Sequence, residues 1–202
     1  MRQLIVTTFV TLDGVMQAPG GPEEDTSGRF THGGWTVPFF DEEVGAFMGQ
    51  TMGVPFDLVL GRRTYEIFAA FWPNASEEEG AGPLNAATKY VASRGRPELT
   101  WERSALLEPD PVTAIRALKQ QDGPELQVHG SGDLLQTLVG TDLVDEFRVL
   151  VFPVLVGPGK RLFGEGTAPR GLRLLESRVS GTGVVMSRYA AEGDVRTGSF
   201  GA

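Results

Sequence analysis

Residues 57–66 read Asp57-Leu58-Val59-Leu60-Gly61-Arg62-Arg63-Thr64-Tyr65-Glu66, and the pattern changes at the glycine. Before it, DLVL is a short apolar run of strand type. After it, Tyr65, Phe68 and Ala69 recur at helical spacing, so Arg62 to Phe71 reads as a helix. A strand that ends in glycine and passes straight into a helix is the connection of a parallel α/β sheet. Ligands of such sheets bind outside the carboxyl ends of the strands, so the loops at those ends carry the functional reading.

Working outward, RQLIVTTFV at 2–10 predicts a buried opening strand, followed by a Gly/Pro-rich loop over 11–36. A loop of that length in a small domain is functional or mobile. Residues 38–52 have helical spacing and an acidic first turn at Asp41, Glu42 and Glu43. Downstream of the helix at 62–71, residues 72–82 read as a polar loop and 89–93 as a strand ending at Arg94-Gly95. Asp110-Pro111 opens a helix that runs to about Gln121, with an acid at the N-cap and proline behind it. A strand at 126–129, the turn Gly130-Ser131-Gly132 and a helix over 133–139 follow. Three strands, 147–156, 172–179 and 184–190, then run without helices between them, the last two joined by the hairpin signal Ser180-Gly181-Thr182-Gly183. The expectation is one domain over 1–192 with a flexible tail at 193–202. Its fold is α/β, a mixed, mainly parallel sheet of about eight or nine strands, with helices on both faces and an antiparallel C-terminal hairpin.

Composition narrows the function. The chain has 202 residues, 41% of them apolar, and a net charge of −8, which speaks against a nucleic-acid partner but not against one anionic ligand held by a few local cations. There is no cysteine, and the histidines are His32 and His129, so no thiol chemistry, zinc–thiolate centre or other metal site is expected. The longest apolar run, Val149 to Val156, contains Pro153 and is too short for a bilayer. A soluble cytoplasmic protein without a membrane partner is the expectation.

Gly61-Arg62-Arg63-Thr64, Ser93-Arg94-Gly95 and Gly130-Ser131-Gly132-Asp133 all follow predicted strands, and the first and third open helices. Free N–H groups and the helix dipole favour an anion there, and glycine admits a phosphate close to the backbone. Arg62 and Arg94 at adjacent strand ends can grip a 2′-phosphate between planar guanidinium groups, which favours NADPH over NADH. The competing reading is that both arginines are solvated residues at helix ends.

These residues, together with Leu12-Asp13-Gly14, Val128-His129-Gly130-Ser131-Gly132, Leu143-Val144-Asp145-Glu146 and Pro153-Val154-Leu155-Val156-Gly157-Pro158-Gly159-Lys160, resemble the dihydrofolate reductase-like superfamily. The likeness runs from about residue 2 to 190. It is stronger to the branch containing the C-terminal reductase domain of bacterial riboflavin-biosynthesis enzymes and its stand-alone relatives. The resemblance implies an NADPH-dependent reductase of a small nitrogen heterocycle, of the 5-amino-6-(5-phosphoribosylamino)uracil type, acting as a homodimer; the apolar character of strand 147–156 makes it the candidate interface. A folate-type reductase and a non-catalytic NADPH-binding protein are the alternatives. It further implies that Arg62 and Arg94, with Ser93, meet the 2′-phosphate, and that Gly61, Arg63 and Thr64 lie at the pyrophosphate. Gly130, Ser131, Gly132, Asp133 and Leu134 would lie against the pyrophosphate and nicotinamide half. Dihydrofolate reductases carry three glycines where this chain has Gly130-Ser131-Gly132, so Ser131 and the preceding His129 are departures. The zinc deaminase domain of bifunctional riboflavin enzymes, with its cysteine ligands, has no counterpart here.

The substrate side is less sharply marked. Hydride transfer to C=N or C=O needs a proton donor or water ordered by an acid. Asp13 and Asp41 are the candidate catalytic acids, and Gly14, Trp35 and His129 the candidate substrate contacts. Asp41 stands one residue later from Trp35 than the family spacing, about 100° of helix rotation, and an N-terminal helix acid is ordinary. Asp13-Gly14 is equally a simple turn, His129 equally a histidine satisfied by backbone, and Trp35 equally core. Arg29 and Lys160 are the candidate cations for a substrate phosphate. Gly157-Pro158-Gly159-Lys160-Arg161 reads as a turn between strands rather than a phosphate loop.

Overall fold

The computed structural model describes residues 1–201. Its strands are β1 (Leu4–Thr11), β2 (Phe56–Gly61), β3 (Lys89–Ala92), β4 (Ser104–Leu106), β5 (Glu125–His129), β6 (Glu146–Phe152), β7 (Leu172–Val179) and β8 (Val185–Ala191). The helices are α1 (Glu42–Met52), α2 (Arg62–Phe71), α3 (Ala81–Ala86), α4 (Pro111–Gln120) and α5 (Gly132–Val139). All eight strands join one sheet in the order β4-β3-β2-β5-β1-β6-β8-β7. The pairs from β4 across to β6 are parallel, and β8 runs antiparallel to both its neighbours. The mixed, mainly parallel α/β sheet with a C-terminal hairpin is the one the sequence predicts.

Strand alternation sorts the core onto two faces. Leu4, Val6, Val59, Leu126 and Val128 face α4 and α5, packing on Ile115, Leu118, Leu134, Leu135 and Leu138. On the opposite face Leu58 and Leu60 meet Tyr65, Leu84 and Trp101 under α2 and α3, and Leu150 and Phe152 meet Val44 and Phe47 of α1. Leu58 and Leu60 thus flank Val59 in sequence and oppose it in space.

Four details differ from the sequence reading. β4 was not expected, because its three residues are partly exposed and carry no periodicity. Residues 72–82, expected as a polar loop, hold 3-10 turns at Trp72–Asn74 and Glu77–Glu79 and the start of α3. α1 begins at Glu42 rather than 38, after a separate 3-10 turn at Val37–Phe39. β6 stops at Phe152, before Pro153, which has no N–H to give the ladder. β6 is also paired on both sides, by β1 and β8, and buried along most of its length, so its apolarity serves the sheet interior and not an exposed interface. The exposed strand is β7, with Leu172, Leu174 and Val179 open to solvent. Among the described residues no helix is long and apolar enough to cross a membrane.

Candidate functional site

Because β1, β2, β3, β5 and β6 run parallel, their carboxyl ends share one edge of the sheet. Asp13-Gly14, Gly61 to Thr64, Ser93-Arg94, Gly130 to Leu134 and the 153–160 segment therefore converge there. Gly61 is in register with Ala92, so Arg62 and Ser93-Arg94 leave the sheet side by side.

The two helices that start at this edge differ from the other long helices. α1 and α4 are capped by Asp41 and Asp110, whose carboxylates accept the N–H groups of Val44 and Thr113 at 3.0 Å. α2 and α5 follow Gly61 and Ser131 and have no side-chain cap. Each leaves first-turn N–H groups and the positive end of its dipole turned toward the edge. The two starts are also tied together, since the Gly61 N–H donates to Ser131 Oγ at 2.8 Å. A Cβ on Gly61 would lie 2.9 Å from both Cβ and Oγ of Ser131, so the approach requires glycine. Gly130 (φ +74°) and Ser131 (φ +80°) are both left-handed. A serine there costs about 1 kcal/mol, offset here by the hydrogen bond that its hydroxyl accepts. Ser131, a departure from the family pattern, thus serves as the clamp between the two helix starts.

Arg62, Arg63 and Lys160 are already engaged. Arg62 reaches Glu66 at 2.9 Å across one exposed helical turn, a pairing weak enough to exchange. Arg63 meets Asp25 at 2.9 Å, and Lys160 reaches the other oxygen of the same carboxylate at 2.6 Å. The Lys160 stem lies over the start of α5, 3.6 Å from where a Cβ on Gly132 would stand. Arg94 is exposed, and Ser93 Oγ accepts the Gly95 N–H at 3.2 Å. Asp133 lies in the first turn of α5, and Leu134 is buried in the core, so only its backbone is available to a ligand.

The substrate-side candidates are individually committed. Asp13 accepts from Thr11 Oγ1 at 2.5 Å and from Gly157 N–H at 2.8 Å, joining the end of β1 to the segment after β6. The Thr11 hydrogen bond, against the opposing effect of burial and helped by the Gly157 and Val156 N–H groups, holds its carboxyl below the usual range. Gly14 (φ +83°) makes the turn beside it. Asp41 is brought down to about 2, first by the Val44 N–H and, against some desolvation, by Thr182, whose N–H and hydroxyl reach its other oxygen at 3.0 and 2.9 Å. It therefore fastens α1 to the β7–β8 hairpin. Trp35 is buried, its Nε1–H donates to Gln17 O at 2.8 Å, and its ring packs edge-on against Phe152 at 5.3 Å. His129 Nε2 lies 2.7 Å from Gln127 Oε1. Burial first, and then the Arg148 guanidinium, push its pKa down to about 4, so it is neutral at neutral pH. Among the described residues no group of three or more His, Asp or Glu could hold a metal.

The sequence reading missed Asp25 and Gln17. Asp25 sits in the run Glu23-Glu24-Asp25, which reads as solvated loop. Gln17 is buried, donates to Asp25 O and Ser27 O at 3.0 and 2.8 Å, and accepts the Lys160 N–H at 3.1 Å. Nothing in the local pattern marks either residue, because their partners are remote in sequence.

A mixed, mainly parallel α/β sheet with paired, uncapped helix starts at its carboxyl edge is the architecture that the site stands on. The family model of the RibD C-terminal domain matches residues 2–186, and the chain belongs to that family. It is 25% identical over 193 residues to YyaP of Bacillus subtilis (strain 168), an uncharacterised protein, covering 93% of this chain and 94% of that one. YwjB of the same organism, also uncharacterised, is 30% identical over 128 residues, 63% of this chain and 69% of that one. Among solved structures, a candidate riboflavin biosynthesis protein from Shewanella sp. PV-4 superposes with a TM-score of 0.64 at 22% identity, over 94% of this chain and 99% of that one. A pyrimidine reductase-like protein from Corynebacterium diphtheriae gives 0.61 at 14% identity, over 96% and 93%. At those identities the structures show a shared fold.

Proposed function

We propose that this chain is an NADPH-dependent reductase of a small nitrogen heterocycle, of the ribosylaminopyrimidine type. The observation that carries the reading is the pair of uncapped helix starts, α2 and α5, clamped by Gly61 and Ser131 at the carboxyl edge. Two dipoles and a set of free N–H groups aimed at one place are a ready site for a pyrophosphate. Family membership and the pyrimidine reductase-like relative point to the same class.

In this reading Gly61, Arg63, Thr64 and Gly130 to Leu134 receive the pyrophosphate, and Arg62, Ser93 and Arg94 receive the 2′-phosphate. When bound, NADPH supplies hydride to the heterocycle. The chain's own task is to hold the acceptor and place a proton. Asp13 and Asp41 are held ionised and His129 neutral, so none of them stores the proton at neutral pH. Asp13, anchored between β1 and the 153–160 segment, orients substrate or an ordered water with its carboxylate. Asp41, bound to the hairpin, positions α1 rather than the substrate. A folate-type reading, which relies on an acid of that helix, is correspondingly weaker.

Arg62→Ala is expected to weaken NADPH binding by about tenfold or more, the worth of one charge-assisted phosphate contact, while NADH binding falls less than about twofold. Fluorescence titration of both cofactors against both proteins reads the difference, and equal losses would remove Arg62 from the 2′-phosphate.

A further inference from the structure

The Asp25 carboxylate bridges two cations that stand beside the two helix starts of the proposed cofactor site. Its Oδ1 accepts from Arg63 at 2.9 Å and from Ser27 N–H and Oγ at 3.1 and 2.6 Å, and its Oδ2 accepts from Lys160 at 2.6 Å. The carboxylate side chain is only 14% exposed, whereas Arg63 and Lys160 are 60% and 38% exposed. The two cations therefore keep an open side that an incoming anion can approach. Arg63 belongs to the first turn of α2, and Lys160 lies along the first residue of α5, so the carboxylate neutralises one side-chain cation beside each helix start.

The segment carrying Asp25 is tied down unevenly. Its start is fixed by Ala18 O and Pro19 O, which accept the N–H groups of Gly34 and Thr36 at 2.8 and 3.3 Å, Thr36 Oγ1 also donating to Pro19 O at 2.6 Å. Beyond Pro19 its side-chain-mediated hydrogen bonds to the rest of the molecule run through Gln17, to Asp25 O and Ser27 O, and through the Asp25 carboxylate. It is bracketed by two non-glycine residues in left-handed conformation, Ala18 (φ +48°) and Arg29 (φ +62°). Such residues persist where surrounding contacts hold them. Losing the Asp25 contacts leaves Ala18 and Pro19 held by Gly34 and Thr36 and loosens the part beyond them, residues 20–27.

We infer that Asp25 is a tethered stand-in for a phosphate: it occupies the Arg63–Lys160 pair in the free protein, and a pyrophosphate-bearing ligand exchanges with it, anion for anion, loosening residues 20–27. The inference rests on the pyrophosphate position proposed above and adds a competitor and a moving segment to it. The exchange keeps both cations paired throughout, so neither is left uncompensated. Apparent affinity is set by the difference between two anions, and free protein is protected from stray phosphate.

The test uses the full chain and two probes, inorganic pyrophosphate by calorimetry and NADPH by fluorescence. Asp25→Asn is expected to bind pyrophosphate at least fivefold more tightly than the wild type, with NADPH tightened to a similar extent. In the wild type, pyrophosphate is expected to speed amide hydrogen exchange over residues 20–27 by at least fivefold. This second measurement stands even if the variant does not fold. Pyrophosphate affinity unchanged or weakened in Asp25→Asn, protection of 20–27 by pyrophosphate, or no binding of pyrophosphate to either protein would each overturn the inference. Pyrophosphate exchange without NADPH binding would leave the inference standing and remove the reductase reading. Equal NADPH and pyrophosphate binding by both proteins would do the reverse.

Discussion

Gly61→Ala is expected to lower the free energy of unfolding by about 2–3 kcal/mol, the range for forcing an extra methyl into a packed site. Gly61 has φ −69° and ψ 152°, which alanine adopts freely, so backbone strain contributes nothing and the loss is steric. The new Cβ would stand 2.9 Å from Cβ and Oγ of Ser131, and the hydrogen bond from the Gly61 N–H to that hydroxyl would be displaced. The collision has one partner, and this makes the account testable by a double mutant. Ser131→Gly removes both offending atoms and relieves the φ of +80° at the same position. Gly61→Ala with Ser131→Gly is therefore expected to recover at least about 1.5 kcal/mol relative to the sum of the single changes, a coupling of the size contacting residues show. Urea unfolding of the four proteins measures it. Additive losses would mean that Gly61 and Ser131 do not form the clamp described here.

The second large effect is on acid stability. In the unfolded chain His129 takes up a proton near pH 6.5, whereas in the fold it stays neutral down to about 4. Between those values the unfolded state binds more protons, so the stability that His129 contributes is fully present above pH 6.5 and is lost as pH falls toward 4. At ~1.4 kcal/mol per pH unit, the loss reaches up to about 3 kcal/mol. His129→Gln keeps an amide donor for Gln127 Oε1 and cannot ionise. The wild type is expected to lose up to about 3 kcal/mol more than this variant between pH 7 and 4. Parallel pH profiles would show that the fold does not hold the ring neutral. The same protonation state implies that no limb of a rate profile near pH 6.5 belongs to His129.

Much of this architecture is legible in sequence because its signals are local. DLVL against Tyr65, Phe68 and Ala69 shows the change of period at Gly61, and Asp110-Pro111 announces α4. β4 escapes because three half-exposed residues carry no period, and β6 ends early because Pro153 interrupts a run that otherwise looks continuous. For the site, the convergence of the strand ends follows from parallel connections, so Gly61, Arg62, Ser93 and Gly130 could be placed together without coordinates. What the chain does with Asp41 could not be foreseen, since its partner Thr182 lies 141 residues away on the hairpin. Asp25 was hidden for the same reason, its cations lying 38 and 135 residues off. Ser131 was visible as a departure from three glycines, but its purpose required seeing the N–H of Gly61 across the gap between β2 and β5.

The central claim is that the paired starts of α2 and α5 hold a phosphorylated dinucleotide. Titrating the purified protein with NADPH and with NADH, following nicotinamide fluorescence, tests it most directly. The account predicts micromolar NADPH binding and NADH binding weaker by at least about tenfold, the equivalent of ~1.4 kcal/mol from the 2′-phosphate contacts. Binding of neither cofactor would contradict it, and would leave the Gly61–Ser131 clamp as a purely structural joint.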